Sequence, residues 1–338
     1  MILMKILFLN GYTNDRGAET FVKELSTKLS RNNSVDVIIG NKKMPIRWPF
    51  LWRFFIDPHG IYTFWFTFKY LVKIWKEKYD VIIPINGGWQ PALVRIITWL
   101  YRGKMVISGQ SGMGWDDRNN LWCFPDYFVA LSTHAKNWAK KVNPFVKVEY
   151  IPNGADLKKF KPDGKRYKTA FIKPIVLCVG ALEQAKRIDL VIEAVAKLKG
   201  ASLLIVGDGE LREDIRILGN KRLGGRFKVI KLPFPRMAEV YRCADVFTLP
   251  SKSHQSFEIV LVEAMATNLP VVANNDPIRK EIVGDGGILV NPEDVGKYST
   301  ALKKALGIDW LNKPRTQAKR FDWDTITSSY EEIFEKLY

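Results

Sequence analysis

The chain reads as an α/β protein of two doubly wound, Rossmann-like domains, and three observations predict this. Its 338 residues are enough for two cores of ordinary size. Short apolar strands alternate with amphipathic helices through both halves, the pattern of open parallel sheets covered by helices. The alternation restarts after a polar stretch, Lys158 to Lys173, where Pro162, Gly164 and Pro174 mark the expected hinge. The expected domains are 1–165 and 170–320, facing each other across a cleft, with ligand at the carboxyl ends of their strands.

In the first half, Lys5 to Leu9 is a strand, Ala18 to Arg31 a helix and Val35 to Ile39 the next strand. Val81 to Pro84, Met105 to Ser108 and Phe128 to Ser132 continue as short buried strands. The second half opens with the strand Ile175 to Val179, then the helix Ile188 to Lys199, the strand Ser202 to Val206 and the helix Leu211 to Leu218. Phe227 to Lys231 and Val246 to Leu249 follow as strands, then a helix around Glu263 and the strand Val271 to Ala273. The segment RFDWDTITSSYEEIFEKLY starts a C-terminal helix, with Asp324 or Thr325 as cap and Trp323 as packing anchor. Its Asp322-Trp323-Asp324 is read as that helix start rather than as a metal-binding pair.

The N-terminal MILMKILFLNGY lacks the basic flank and small-residue cleavage site of a signal peptide and reads as the first strand. No apolar run approaches the roughly 20 residues that span a bilayer. Cys123, Cys178 and Cys243 have no metal-like spacing, which points to a reducing compartment and no metal site. The expected location is the cytoplasm, at most on the inner face of its membrane. Net charge is +17, and residues 1–168 hold 27 basic against 13 acidic side chains. The first half thus carries almost all the excess, which implies an anionic partner there, either nucleic acid or an acidic membrane surface.

The most informative stretch is Pro250 to Ala273, PSKSHQSFEIVLVEAMATNLPVVA. It sets one carboxylate, Glu263, in a helix that is otherwise apolar nearly all round. Burying that charge costs several kcal/mol unless donors satisfy it. A ribose diol suits, because two adjacent hydroxyls can donate to one carboxylate; a hydrogen bond from the protein itself is the other reading. The segment resembles the donor-binding signature of the family-4 retaining glycosyltransferases, which have the GT-B architecture. Glu263-Ala264-Met265-Ala266 and Pro270-Val271-Val272 match its pattern. The first Glu of the family pair falls on Gln255, and the glycine expected after Phe257 is Glu258.

The resemblance covers nearly the whole chain and implies the remaining roles. Arg16-Gly17-Ala18-Glu19 stands where the family has a glycine-rich loop, with Gly17 and Arg16 near the donor phosphates. Ile151-Pro152-Asn153-Gly154-Ala155-Asp156 matches the interdomain segment. Lys186 falls where the family supplies a lysine to the donor diphosphate, while Ala181 replaces the usual Arg, leaving Arg187 or Arg16 as substitutes. Phe234 sits where the nucleotide base packs. Gln255 would meet donor-sugar hydroxyls, with Phe257 beside it and the amides of Glu258, Ile259 and Val260 facing the diphosphate. Gln110 takes the place of a histidine next to the sugar, and the nearby Asp116 and Asp117 either orient the acceptor or cap a helix. The family's final helix, about 322–338 here, returns to the first domain.

Residues 48 to 75 hold twelve of the chain's 42 aromatic side chains, interleaved with basic ones. One reading is bilayer contact through Trp48, Trp52, Arg53, Trp65, Lys69 and Lys73; the other is that the rings mostly form core. No RNA- or DNA-binding motif accompanies them, so nucleic acid is not an expected partner. The expected function is retaining transfer of a sugar from a nucleotide diphosphate donor, such as a UDP- or GDP-sugar, to a glycan or lipid-linked acceptor. No cofactor or metal is called for. The rival reading is a catalytically silent sugar-nucleotide or glycan-binding relative.

Overall fold

The computed structural model describes residues 3–12, 17–42, 47–253 and 256–338. It divides into two compact units, Met1–Asn153 with Trp323–Tyr338, and Gly154–Asp322. The polar stretch 158–173, expected as the join, belongs to the second unit. There Tyr167 N–H donates to Glu239 O, and Arg315 reaches the carbonyls of Leu157 and Phe160. These bonds explain why a segment with linker composition is held as part of a packed unit.

The first unit runs β1 (Lys5–Tyr12), α1 (Gly17–Leu29), β2 (Ser34–Lys42), α2 (Pro58–Glu77), β3 (Val81–Pro84) and α3 (Trp89–Tyr101). It continues through β4 (Lys104–Ser108), α4 (Trp115–Trp122), β5 (Tyr127–Ala130), α5 (Thr133–Val142) and β6 (Val148–Tyr150). The strands form one parallel sheet in the order β2-β1-β3-β4-β5-β6. Alternation along β1 sends Ile6 and Phe8 to one face and Leu7 and Leu9 to the other. The first face is covered by α1 and the C-terminal helix (Trp323–Glu335), through Phe21, Leu25, Trp323 and Tyr330. The second is covered by α2 and α3, through Phe66, Ile74, Val94 and Ile97. Helix α2 starts where Asp57 caps the N–H of Gly60 at 2.9 Å and Pro58 opens the first turn.

The second unit runs β7 (Ile175–Val179), α6 (Ile188–Ala196), β8 (Ser202–Val206), α7 (Arg212–Leu223), β9 (Phe227–Ile230), α8 (Met237–Tyr241) and β10 (Val246–Leu249). Then come α9 (Ile259–Ala266), β11 (Val271–Asn274), α10 (Pro277–Val283), β12 (Gly287–Val290), α11 (Val295–Gly307) and α12 (Lys313–Ala318), so that the C-terminal helix is α13. Its parallel sheet has the order β12-β11-β10-β7-β8-β9. Every residue of β7, β8 and β10 is buried, as expected of strands covered on both faces. The order reverses between β7 and β10, so the loops after these two strands part and leave a crevice at their carboxyl ends. The loops after β7 and β8 also press together: a Cβ on Gly207 would lie 2.0 Å from the carbonyl oxygen of Gly180.

Trp323 fills its expected role as anchor. It is 1% exposed, and its ring lies 6.2 Å from that of Phe21. Trp323→Ala should lower the stability of the first unit by about 3–5 kcal/mol. A denaturant midpoint within error of the parent would show that α13 is not needed there.

Candidate functional site

The chemistry of the second unit gathers at the reversal between β7 and β10. The loop after β7 presents Lys186, the loop after β10 presents Ser251, and Glu258 stands at the N-terminus of α9. The Glu258 carboxylate is buried and takes Lys186 Nζ at 2.9 Å, the Ser251 hydroxyl, and Arg279 of α10 at 3.2 Å. Burial pushes its pKa up, but Arg279, Lys186 and Ser251 together outweigh this and hold the carboxyl below the usual range. Glu258 is therefore ionised at neutral pH. Arg279 is itself buried and also lies 3.5 Å from Asp276, which caps α10. Two cations and two carboxylates thus meet within the unit.

Glu258 is more than a missing glycine. Its side chain does not cap α9 but turns to the cations. The first amides of α9, those of Ile259 and Val260 among them, have no intrahelical acceptor because no turn precedes them. They give the helix start a partial positive charge, well suited to a phosphate. Lys186 stands at that end with its ammonium engaged by Glu258. Arg187, one of two candidates for the missing arginine, is committed elsewhere: it donates to Pro250 O at 2.7 Å and Ser251 O at 3.0 Å and pairs with Glu293. The other, Arg16, lies outside the described residues, and so does Gln255.

Glu263 is buried in α9, and the hydroxyl of Tyr241 donates to its Oε2 at 2.7 Å. Burial, followed by the adjacent Glu263, raises the Tyr241 pKa far above its ordinary value, so the phenol keeps its proton and remains a donor. Of the two readings open for this carboxylate, the protein hydrogen bond is present at one oxygen, and its donor is a phenol. Phe257 is buried against Phe321, Ile259 is buried, and Val260 is half-buried. Phe234 is half-buried, with Lys159 Nζ 3.3 Å from its ring centroid.

In the first unit Gly17 opens α1 at an exposed position. Gln110 follows β4 and forms a reciprocal amide pair with Asn153, at 3.1 and 2.9 Å, while also donating to Ser108. Asp116 and Asp117 share the first turn of α4 but have different surroundings. Asp116 takes both terminal nitrogens of Arg47, at 3.1 and 2.8 Å. Asp117 is buried and accepts from Asn120 at 3.2 Å, which removes it from direct contact with an acceptor in this structure. Burial pushes its pKa well up, more than its hydrogen bonds lower it. The Asp322-Trp323-Asp324 run also resolves: Asp324 pairs with Lys28 at 2.5 Å and Arg31 at 3.1 Å.

Sequence reasoning did not find Tyr241, Arg279, Ser251 or Arg47. Only Arg279 left a signal, since it shares the buried face of α10 with Ile278, Ile282 and Val283. An arginine in such a row implies a buried acid.

Residues 173–307 match the family described as glycosyl transferases group 1. A D-inositol 3-phosphate glycosyltransferase of Nocardia farcinica is 32% identical over 181 residues, covering 48% of this chain and 40% of that protein. A GDP-mannose-dependent phosphatidylinositol monomannoside mannosyltransferase of Mycobacterium tuberculosis is 27% identical over 62% of this chain and 59% of that one. The chain thus spans less than two thirds of the length of these relatives. Among solved structures, Anabaena HepE in complex with UDP and glucose superposes with a TM-score of 0.75 at 18% identity, covering 98% and 99% of the two chains. The sucrose-phosphate synthase of Thermosynechococcus elongatus gives 0.79 at 19%, again over 98% and 99%.

Two outcomes follow from the geometry. Glu258→Ala should cost about 3–5 kcal/mol in urea denaturation, because it strands Arg279 and Lys186, and Glu258→Gln distinctly less; equal stabilities would refute the ion cluster. Asp117→Asn should melt above the parent at pH 7.5. With its folded pKa raised, Asp117 contributes stability fully only below its unfolded pKa and loses it as pH rises towards the folded value. The gap should close as pH falls towards about 4; a lower melting point for the variant at pH 7.5 would sink this reading. The fold is GT-B, and residues 173–307, within its second unit, match the group 1 glycosyl transferases.

Proposed function

We propose that the chain is a retaining glycosyltransferase of family 4 that moves a sugar from a nucleotide diphosphate donor to a glycan or lipid-linked acceptor at the inner face of a membrane. The observation that carries this is Lys186 at the start of α9, the helix that holds Glu263, at the strand reversal of the second unit. The donor is a substrate, and the reading needs neither cofactor nor metal. Glu263, steadied by Tyr241, is assigned to the ribose hydroxyls and Phe234 to the base. The amides of Ile259 and Val260, with Lys186, take the diphosphate. In the reaction the bond from the anomeric carbon to the phosphate oxygen breaks, and the acceptor oxygen bonds to that carbon on the same face. The acceptor's proton passes to the departing phosphate, so no protein nucleophile is required. Stabilisation of the leaving charge is then the main catalytic contribution. Gln255 is assigned to the donor sugar, where an amide retains an acceptor oxygen and adds a donor.

A second reading, a sugar-nucleotide binder without turnover, draws support from Glu258, which already matches the Lys186 charge. Both readings are tested together. A thermal-shift screen with UDP-, GDP- and ADP-sugars should show stabilisation by one of them. Product analysis by NMR should then show transfer with the donor's anomeric configuration kept. Gln255→Ala should abolish transfer while leaving the melting point unchanged. Stabilisation without turnover on any acceptor favours the silent relative, and no stabilisation by any donor defeats both.

A further inference from the structure

Of the twelve aromatic side chains between Trp48 and Trp75, only Phe66 is buried, so these rings are not chiefly core. The pattern on α2 is specific. Its core-facing side carries Thr63, Phe66, Thr67 and Ile74. At about 100° per residue, the opposite side carries Ile61, Trp65, Phe68, Val72 and Trp75, all exposed, with Trp65 at 61% and Val72 at 64%. A helix on a sheet ordinarily turns charged residues outward; this one turns an apolar stripe. Lys69, Lys73 and Lys76 form a parallel row beside the stripe.

The apolar face does not end with α2. Helix α3 lies beside it and runs the same way, since Phe64 meets Trp89 near their starts and Trp75 meets Tyr101 near their ends. Trp99 of α3 is 60% exposed. The loop before α2 adds exposed Phe50 and Phe54, and it holds Trp52 between the guanidinium groups of Arg47 and Arg53. From Arg47 to Lys104 there are nine basic residues and three acidic ones. Of the acids, Asp57 is buried at a helix cap and Glu77 is paired with Lys5. Asp36, outside this count, pairs with Lys73 at 3.5 Å. An apolar, tryptophan-rich surface edged by cations, with Asp36 and Glu77 each held by a lysine, matches one partner chemistry: hydrocarbon beneath an anionic headgroup layer.

We infer that α2, α3 and the loop at 48–56 form a docking face for an anionic lipid bilayer, with α2 lying in the plane of the interface. Among the described residues no helix is long and apolar enough to cross a membrane, so this face rests on the lipid. A second copy of the chain is the competing occupant, because the stripe repeats every seven residues. Such a pair would bring both lysine rows into one interface where the nearby acids, Asp36 and Glu77, are already matched to Lys73 and Lys5. The inference gives substance to the lipid-linked reading of the acceptor and rests on it only for its purpose, because the binding is measured without donor.

The test is co-sedimentation of the full chain with vesicles of mixed phosphatidylglycerol and phosphatidylcholine, and with phosphatidylcholine alone. Binding to the mixed vesicles, weakened by salt and much lower on phosphatidylcholine, is expected. Trp65→Ser with Val72→Ser should weaken binding by about tenfold or more. Lys69→Gln with Lys73→Gln should weaken it on the order of 30-fold and reduce the salt dependence. Both pairs are on the exposed surface, and circular dichroism checks their fold. No binding by the parent, or unchanged binding by the apolar pair, overturns the inference. So does a parent dimer in sedimentation velocity that the apolar pair dissolves. Vesicle binding without sugar transfer would defeat the transferase reading alone, and transfer without vesicle binding would defeat only this one.

Discussion

The second unit is organised by the need to keep one carboxylate charged out of water. Glu258 draws Lys186 from the loop after β7, Ser251 from the loop after β10 and Arg279 from α10 onto a single group. Any one of these charges would be costly if buried alone, so each holds the others in place. The result fixes where α9 begins, and with it the direction of the amides at its start. Arg187 reinforces the arrangement by clasping the carbonyls of Pro250 and Ser251. Backbone that would otherwise be an ordinary strand-end loop becomes a fixed part of the site, which suits chemistry that depends on preorganised donors.

The first unit reaches order at its strand ends by a gentler route. Gln110 and Asn153 exchange amide hydrogen bonds, and Tyr330 of α13 adds a bond to Ser108. Arg47 spans to Asp116 in a two-pronged pair, a geometry that fixes both orientation and distance. The neutral Gln110–Asn153 and Tyr330–Ser108 bonds rearrange at lower cost than a buried ion cluster. A buried ion cluster thus sets the polar groups of the second unit's site, whereas the first unit combines an amide pair with a two-pronged ion pair.

Much of the architecture was legible because both sheets are covered on both faces. Such strands become short apolar runs, and β7, β8 and β10 match the segments expected from sequence. Helices α2 and α3 left no comparable trace. Their inward and outward sides are both apolar, so the 3.6-residue period that marks a surface helix is blurred. The Asp57-Pro58 start was the one local sign of α2. At the site, Lys186, Glu258 and Glu263 were visible as single positions in a known pattern. Their partners were not, because Tyr241, Ser251 and Arg279 come from separate elements with no fixed spacing to them. The meaning of Glu258 shows the difference: the sequence marks it as a substitution, and only the packing reveals a cluster built around it.

The distribution of tryptophan has an optical consequence. Of eleven indoles in the chain, only Trp310 belongs to the unit Gly154–Asp322. Near-ultraviolet fluorescence of the intact protein is therefore almost wholly a signal from the other unit, and unfolding followed by that emission registers one half of the molecule. Trp310, whose indole nitrogen donates to the carbonyl of Ala305 at 2.8 Å, would be a built-in single chromophore for the second unit if that unit were produced alone.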